Sequence, residues 1–511
     1  MKKGSQFRVL KNTVSLYFRT IILTIISLFT VRVVLNVLGE SDYGVYNVVG
    51  GFVTLFSFVS GSLSISSQRY FALHLASDDW NGVSRLFSVN LIIYMIFIGV
   101  ILFFSQTVGL WFVLNKLNYA SSRTLAAIIV YETSIITFLI GVLVSPFLAL
   151  LIADENLSIY SLISIIEGVL KILVVYLLSM SSGDKLIIYA FLVMMTSCSV
   201  NLFYFIYIKR KYKRLKLVLC KDKTEYKMVF SYLNWNLIGS IASVCKSQGV
   251  NIIINIFFDS SINAARGVAT QINNAIVSFS QNFMKAVDPL ITKAYANKNK
   301  DKFLNLINIA SKLSFSLLFV VAMPVIFNSN YILTLWLENV PQYTVLFTNL
   351  VLIDALVASL TDPILTGVQA TGKVRLYQIV IGGLNLLNLP VSYIFLKVMQ
   401  NPYIPFVVAI VISFAMGFGR MIIFKKVYSF ELLSYITNVV LPMSIMSGFS
   451  VLFMSLLFEN STNFAELILK VVGSILVNVF FVFVIGLNKN EKNMLLILLR
   501  EKFGSQLNNL G

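Results

Sequence analysis

Acidic residues are scarce in this chain: 22 Asp and Glu stand against 40 Lys and Arg, giving a net charge of +18 over 511 residues, and charged residues make up only 12% of the total. So little charge cannot cover the surface of a soluble protein of this length. Cysteine is also rare. Cys198, Cys220 and Cys245 lie in or beside apolar segments with no CxxC spacing, so neither a disulfide nor a metal site is expected. The only histidine, His74, falls in a short loop and is expected to face solvent rather than act as a base. Walker A, HExxH and GxSxG motifs are all missing, and no loop is long enough for a soluble catalytic domain. The chain is therefore not expected to be an enzyme, to have catalytic residues or to bind ATP. The excess of base is not a nucleic-acid face, because Lys and Arg concentrate in short loops between apolar runs, which is the positive-inside pattern.

Apolar residues make up 58% of the sequence, arranged in runs of bilayer-spanning length. Lipid leaves no backbone group unpaired without penalty, so those runs must be helices. The fold class expected is an all-α polytopic membrane protein with about 14 transmembrane helices. Residues 1–208 make an N-terminal six-helix lobe, 209–228 a basic cytoplasmic linker, 229–424 a second six-helix lobe, and 425–511 an extra helix pair with a cytoplasmic tail. Both termini come out cytoplasmic by the charge rule. The run Lys209-Arg210-Lys211-Tyr212-Lys213-Arg214-Leu215-Lys216 reads first as a topology signal and linker, and second as a site for anionic lipid heads.

The first span and its turn, ending Leu38-Gly39-Glu40-Ser41-Asp42-Tyr43-Gly44, begin a unit that recurs. Val31, Asn36 and Ser41 match Val250, Asn255 and Ser260 at an offset of 219. A second window, from Ser145-Pro146 to Leu170, matches Asp362-Pro363 to Leu387 at an offset of 217. Six spans per unit is an even number, so both units run the same way through the membrane, with a site expected between them.

Polar residues at helical spacing mark four spans. Span eight, near 265–288, carries Gln271, Asn274, Ser278, Gln281, Lys285 and Asp288 on one face. Span seven, near 229–257, carries Asn236, Ser240, Ser243, Ser247, Asn251 and Asn255, with Lys246 at the margin. Span one has Thr13, Tyr17, Thr20, Thr24 and Ser27; span two has a weaker set including Asn47 and Thr54, which ordinary helix packing also explains. Amides and charges together on spans seven and eight favour a water-filled cavity.

Ionisable residues inside spans cost roughly 2.5–3.5 kcal/mol near a helix centre. Arg32, Lys171, Lys246, Arg266, Lys285 and Lys312 oppose Glu132, Glu167, Asp288 and Asp354. Glu167 and Lys171 are one turn apart and read as a structural pair, and Lys285 with Asp288 offers another. Arg32 and Arg266 lie near a membrane boundary and read as snorkelling cations. Lys246 has no acid within a turn on its own helix, and a cavity holding such a cation suits an anion.

Leu38-Gly39 with Tyr43-Gly44 resembles the LG-x-x-x-YG turn of the bacterial polysaccharide (O-antigen type) flippases, members of the multidrug/oligosaccharidyl-lipid/polysaccharide exporter superfamily. Ala153-Asp154-Glu155-Asn156 and Gln369-Ala370-Thr371-Gly372-Lys373 resemble that family's inner turns, and the hydropathy layout is similar over nearly the whole chain. The resemblance implies a MATE-like fold: two parallel six-helix lobes that rock about a cavity formed by spans one, two, seven and eight. It implies the export of an undecaprenyl-diphosphate-linked oligosaccharide across the bacterial cytoplasmic membrane, with a glycan polymerase and glycosyltransferases as partners besides membrane lipids. Substrate-binding candidates are then Lys246, Lys285, Arg266, Gln271, Asn274, Gln281 and Asn251. Drug-exporting relatives couple to a cation through an acid on the first helix, and span one has none; Glu132, Asp288 and Asp354 are left as candidates for Na+ or H+ coupling, with no other cofactor. A cation-coupled drug or metabolite exporter and a non-transporting membrane scaffold are the alternatives.

Overall fold

The computed structural model describes residues 3–76, 78–154, 156–218, 226, 237, 239–428, 430–457, 463–489 and 491–492. By internal packing the chain forms two units: Met1–Gln271 with Leu337–Thr344 and Gly382–Val408, and Ile272–Trp336 with Val345–Ile381 and Ala409–Gly511. These are called unit 1 and unit 2. Segment 239–271 packs in unit 1, although the sequence repeat begins a second six-span set at 229.

Unit 1 contains α1 (Lys3–Thr54), α2 (Ser57–Ala76), α3 (Trp80–Asn115), α4 (Thr124–Ala153), α5 (Leu157–Met180) and α6 (Lys185–Lys211). It also holds α7 (Val250–Phe257), which follows a π-helical turn at Cys245–Gly249, and the start of α8 (Ser260–Ala296). Helix α1 is two arms joined at Gly39, where φ is +77°. Side-chain contacts show that the chain reverses there. Before Gly39, Arg19 reaches Tyr160 at the start of α5, and Leu23 and Ile26 lie against Gly168 one step further along it. After Gly39, Asp42 meets Arg123 just ahead of α4, and then Phe52 meets Tyr131 and Phe56 meets Phe138, moving down α4. The second arm thus runs along α4, and the first along α5, in opposite senses. A positive φ at the reversal is open to glycine with little penalty. Beyond the reversal, a Cβ on Gly44 would lie 1.7 Å from the Ser260 carbonyl oxygen, so only glycine lets the second arm approach α8 this closely.

The reversal end of unit 1 is held by charge. Arg123 Nε and Nη2 donate to the two Asp42 oxygens, and Nη1 donates to Asp184 Oδ2 at 2.7 Å. Asp184 in turn caps α6 by accepting from Leu186 N at 3.1 Å. One guanidinium therefore ties together the hairpin, the start of α4 and the start of α6.

Unit 2 contains the rest of α8, then α9 (Lys300–Phe327), the short α10 (Ser329–Trp336), α11 (Thr344–Ser359), α12 (Asp362–Thr371) and α14 (Ile404–Val427). It ends with the pair α15 (Leu432–Leu456) and α16 (Phe464–Gly486). Helix α13 (Arg375–Met399) is divided between the units at residue 382, and α14 at residue 409. Among the described residues, eleven helices are long and apolar enough to cross a membrane. The first of these, Phe18–Thr54, contains the reversal. The helices of spans seven and eight fall outside that count, α8 because its polar stripe lowers its hydropathy. The segments read as spans from the sequence are largely helical where they are described, with turns at residues 55–56 inside span two and 360–361 inside span ten.

Candidate functional site

Unit 1 encloses a cavity of about 440 Å³. One wall is the second arm of α1, which contributes Tyr43, Tyr46, Asn47 and Thr54, with Gly50 and Gly51 leaving room. A second wall is α4, through Thr133, Ser134 and Thr137. The third is the junction of α7 and α8, through Gln248, Asn251, Arg266, Thr270 and Gln271. Each wall is polar for a local reason. On α4 the hydroxyls recur at one helical turn, so a single face of an otherwise apolar helix carries them. At α7 the π-helical turn Cys245–Gly249 sets Gln248 and Asn251 on the same side, and such turns recur at functional sites.

Arg266 is the only charged side chain among the described lining residues. Its Nη2 donates to the Ser247 carbonyl, while its Nε is buried without a hydrogen-bond partner. No carboxylate pairs with it among the described residues. Ser134, Thr137, Gln248, Thr270 and Gln271 have no hydrogen-bond partner among the described residues either. The cavity thus presents one guanidinium and a set of uncommitted hydroxyls and amides. The guanidinium can donate to an anionic group, and the hydroxyls and amides can both donate and accept.

Next to the cavity, on the side toward the Gly39 reversal, lies a chain of buried amides. Asn251 Nδ2 donates to Asn47 O at 3.0 Å, and Asn263 Nδ2 donates to Asn251 Oδ1 at 2.8 Å. Asn255 Nδ2 then donates to Asn263 Oδ1 at 3.1 Å and to Asn118 O at 3.0 Å. Beyond it, Ser41 Oγ lies 3.3 Å from Ser260 Oγ. These two serines match each other in the sequence repeat.

The expected site residues separate on this geometry. Arg266, Gln271 and Asn251 line the cavity, together with Asn47 and Thr54 from the weak stripe of span two. Lys246 is half-buried in the π-helical turn and is not part of the lining. Asn274, Gln281 and Lys285 are exposed on α8 within unit 2. Lys285 does not pair with Asp288 as expected: Asp288 accepts instead from Thr366 Oγ1 at 2.7 Å. Asp354 accepts from Ser413 Oγ. Glu132 accepts from Gln106 Nε2 at 2.9 Å, on the opposite side of α4 from the cavity.

One further expectation is corrected and one holds. Lys312 has a partner that no local pattern reveals, Glu491, with Nζ at 3.0 and 2.9 Å from its two oxygens. His74 is not a free loop residue but ends α2, its Nδ1 3.0 Å from Asp79 Oδ2. Glu167 and Lys171 do pair, at 2.7 Å. Cys220 and Asn236 lie outside the described residues, as do the side chains of Thr13 and Tyr17. No group of three or more His, Cys, Asp or Glu that could hold a metal occurs among the described residues. Sequence reasoning missed Thr133, Ser134 and Thr137, whose one-turn spacing was the available signal.

A MatE family model matches residues 237–394. No curated protein matches the sequence. Among solved structures, the lipid II flippase MurJ in an inward closed conformation superposes with a TM-score of 0.69 at 13% identity, covering 92% of this chain and 98% of that one. An inward-facing MATE multidrug resistance transporter of the MOP superfamily gives 0.61 at 13% identity, covering 81% of this chain and 95% of its own. A MOP superfamily transporter from Pyrococcus furiosus gives 0.60 at 13%, covering 83% and 96%. The chain is an all-helical, multi-pass membrane protein with a MATE/MurJ-like fold.

Proposed function

We propose that this protein is a flippase that carries an undecaprenyl-diphosphate-linked oligosaccharide across the bacterial cytoplasmic membrane for surface polysaccharide assembly. The cavity of unit 1 carries the proposal: Arg266 faces hydroxyls and amides without a competing carboxylate among the described lining residues. A diphosphate needs a desolvated cation, and a sugar needs many neutral donors and acceptors. Unit 2 offers a second, apolar cavity of about 600 Å³, lined by residues such as Phe315, Phe319, Met323, Ile353, Phe414 and Met443. Its chemistry suits a polyprenyl chain. The likeness to a lipid II flippase is consistent with a lipid-linked cargo. In this proposal the two six-helix lobes alternate in access to the two membrane faces, both termini are cytoplasmic, and a glycan polymerase and glycosyltransferases act before and after transport.

The alternative of the same fold is a cation-coupled exporter. Asp288 and Asp354, each holding a hydroxyl in unit 2, are the acids that favour it. Surface glycan and dye efflux, measured with the wild-type gene and with Arg266→Ala at equal protein levels, separate the two. The flippase proposal requires surface glycan to fall with Arg266→Ala while dye efflux stays at background in both. Dye efflux above background in cells with no polysaccharide pathway would sink it.

A further inference from the structure

One polar pair faces away from the cavity, on the apolar outer surface of unit 1. Along α4, Leu125, Ile136 and Leu143 are exposed, at 66%, 44% and 40%, and their spacing of eleven and seven residues makes one outward stripe. Glu132 lies on that stripe, seven residues after Leu125 and four before Ile136. Its hydrogen-bond partner Gln106 is exposed on α3, flanked by exposed Phe103, Phe104, Val108 and Trp111. Glu132 is eight residues from Thr124, about 12 Å along the helix, which is well inside the apolar length of α4.

Local backbone structure holds the pair in place. Gln106 lies in the π-helical turn Ser105–Gly109 of α3. Tyr131 Oη donates to Ser105 O at 2.8 Å, and a Cβ on Gly109 would lie 2.2 Å from the Tyr131 Oη. The turn is thereby fixed against α4 one residue from Glu132. No Lys or Arg pairs with Glu132 among the described residues. A carboxylate left in hydrocarbon is costly, so a cation from outside the chain is the missing complement.

We infer that this face of α3 and α4 docks a transmembrane helix of another protein that presents a Lys or Arg to Glu132. A second copy of the chain is a poor source of that cation. Of its span cations, Arg32 is committed to Glu338 at 3.6 Å and Lys171 to Glu167 at 2.7 Å, while Lys285, exposed on α8 with Asn282 Oδ1 at 3.5 Å, belongs to a polar stripe and not to an apolar face. The inference does not depend on the cargo.

The test uses the full chain in vesicles of phosphatidylethanolamine and phosphatidylglycerol, with a donor fluorophore on Ser122→Cys and Cys198, Cys220 and Cys245 replaced by serine. Acceptor-labelled leucine-rich peptides of about 22 residues carry Lys, Leu or Glu about 12 Å from one end. The Lys peptide should associate about tenfold more tightly than the Leu peptide. Glu132→Gln should abolish that preference, and Glu132→Lys should transfer it to the Glu peptide, a gain that a merely damaged fold cannot give. Equal association of the Lys and Leu peptides overturns the docking site. Energy transfer between two labelled copies of the chain, in place of transfer to the Lys peptide, overturns the choice of partner.

Discussion

The buried cations of unit 2 and the arginine of the unit 1 cavity differ in what they touch. In unit 2, Lys312 is 3% exposed in its side chain, and both Glu491 oxygens meet it. Arg420 pairs with Asp362 Oδ1 at 2.6 Å, and its Nε donates to Tyr377 Oη at 3.1 Å. Its Nη1 adds Thr361 Oγ1 at 3.0 Å, beside the break between α11 and α12. Lys470 pairs with Glu466 one turn away. Arg266 in unit 1 has one carbonyl and an unsatisfied Nε. A buried charge is tolerated when paired, so compensation rather than burial separates a structural cation from one poised for a ligand.

The sharpest way to break that contrast is to remove a partner in unit 2. Glu491→Ala leaves Lys312 buried and uncompensated, which should cost about 3–5 kcal/mol. Thermal unfolding in detergent should show the loss, while glycan export per folded molecule stays near wild type. Export that fell with no change in unfolding would make Lys312 functional and erase the contrast.

Arg266→Ala is the complementary change and the next largest. Losing a charge-assisted contact of about 1.5–3 kcal/mol to an anionic cargo should cut surface glycan about 10- to 100-fold. The unfolding midpoint should stay close to wild type, because no buried carboxylate is left behind. Arg266→Lys should recover part of the export, since it restores charge without the planar fork.

Which of these cations is paired was legible in the sequence only where both partners share a helix. Glu167 and Lys171 are four residues apart and announced themselves; Lys312 and Glu491 are 179 apart and could not. The spans and the reversal were readable because apolar length and a glycine pair act locally, and the positive φ of Gly39 is what that pair supplied. The cavity was half readable. Helical spacing finds a polar face but not its neighbour, so Gln271 was found along with Asn274, Gln281 and Lys285, which continue the stripe into unit 2. Thr133, Ser134 and Thr137 went unread because hydroxyls in apolar helices so often serve packing alone.

Unit 1 also depends on close approach beside the reversal, and Gly44 measures it. Gly44→Ala sets a methyl against the backbone carbonyl of Ser260, which cannot rotate away. Overpacking of this kind costs about 1–3 kcal/mol. The Ser41–Ser260 contact should loosen with it. A disulfide between Ser41→Cys and Ser260→Cys should accordingly form more slowly in the Gly44→Ala background, and an unchanged rate would show that the backbones are not in contact.

Arg123 gives the finest test, because it is a paired arginine of unit 1 and should behave like the cations of unit 2. Burial raises the Asp184 carboxyl, but the hydrogen bonds from Arg123 and from the Ile187 and Leu186 amides outweigh it and hold the group below the usual aspartate range. A carboxyl lowered on folding adds stability above its unfolded value, and that stability is lost as the pH falls through the folded value. Asp184→Asn should therefore lower the unfolding midpoint at pH 7 by a small amount, under about 1 kcal/mol for so exposed a pair. Below the ordinary aspartate value of 3.8 the gap between mutant and wild type should shrink progressively. A gap that persists unchanged from pH 7 to pH 3 would assign the effect to the lost α6 cap and not to the ion pair.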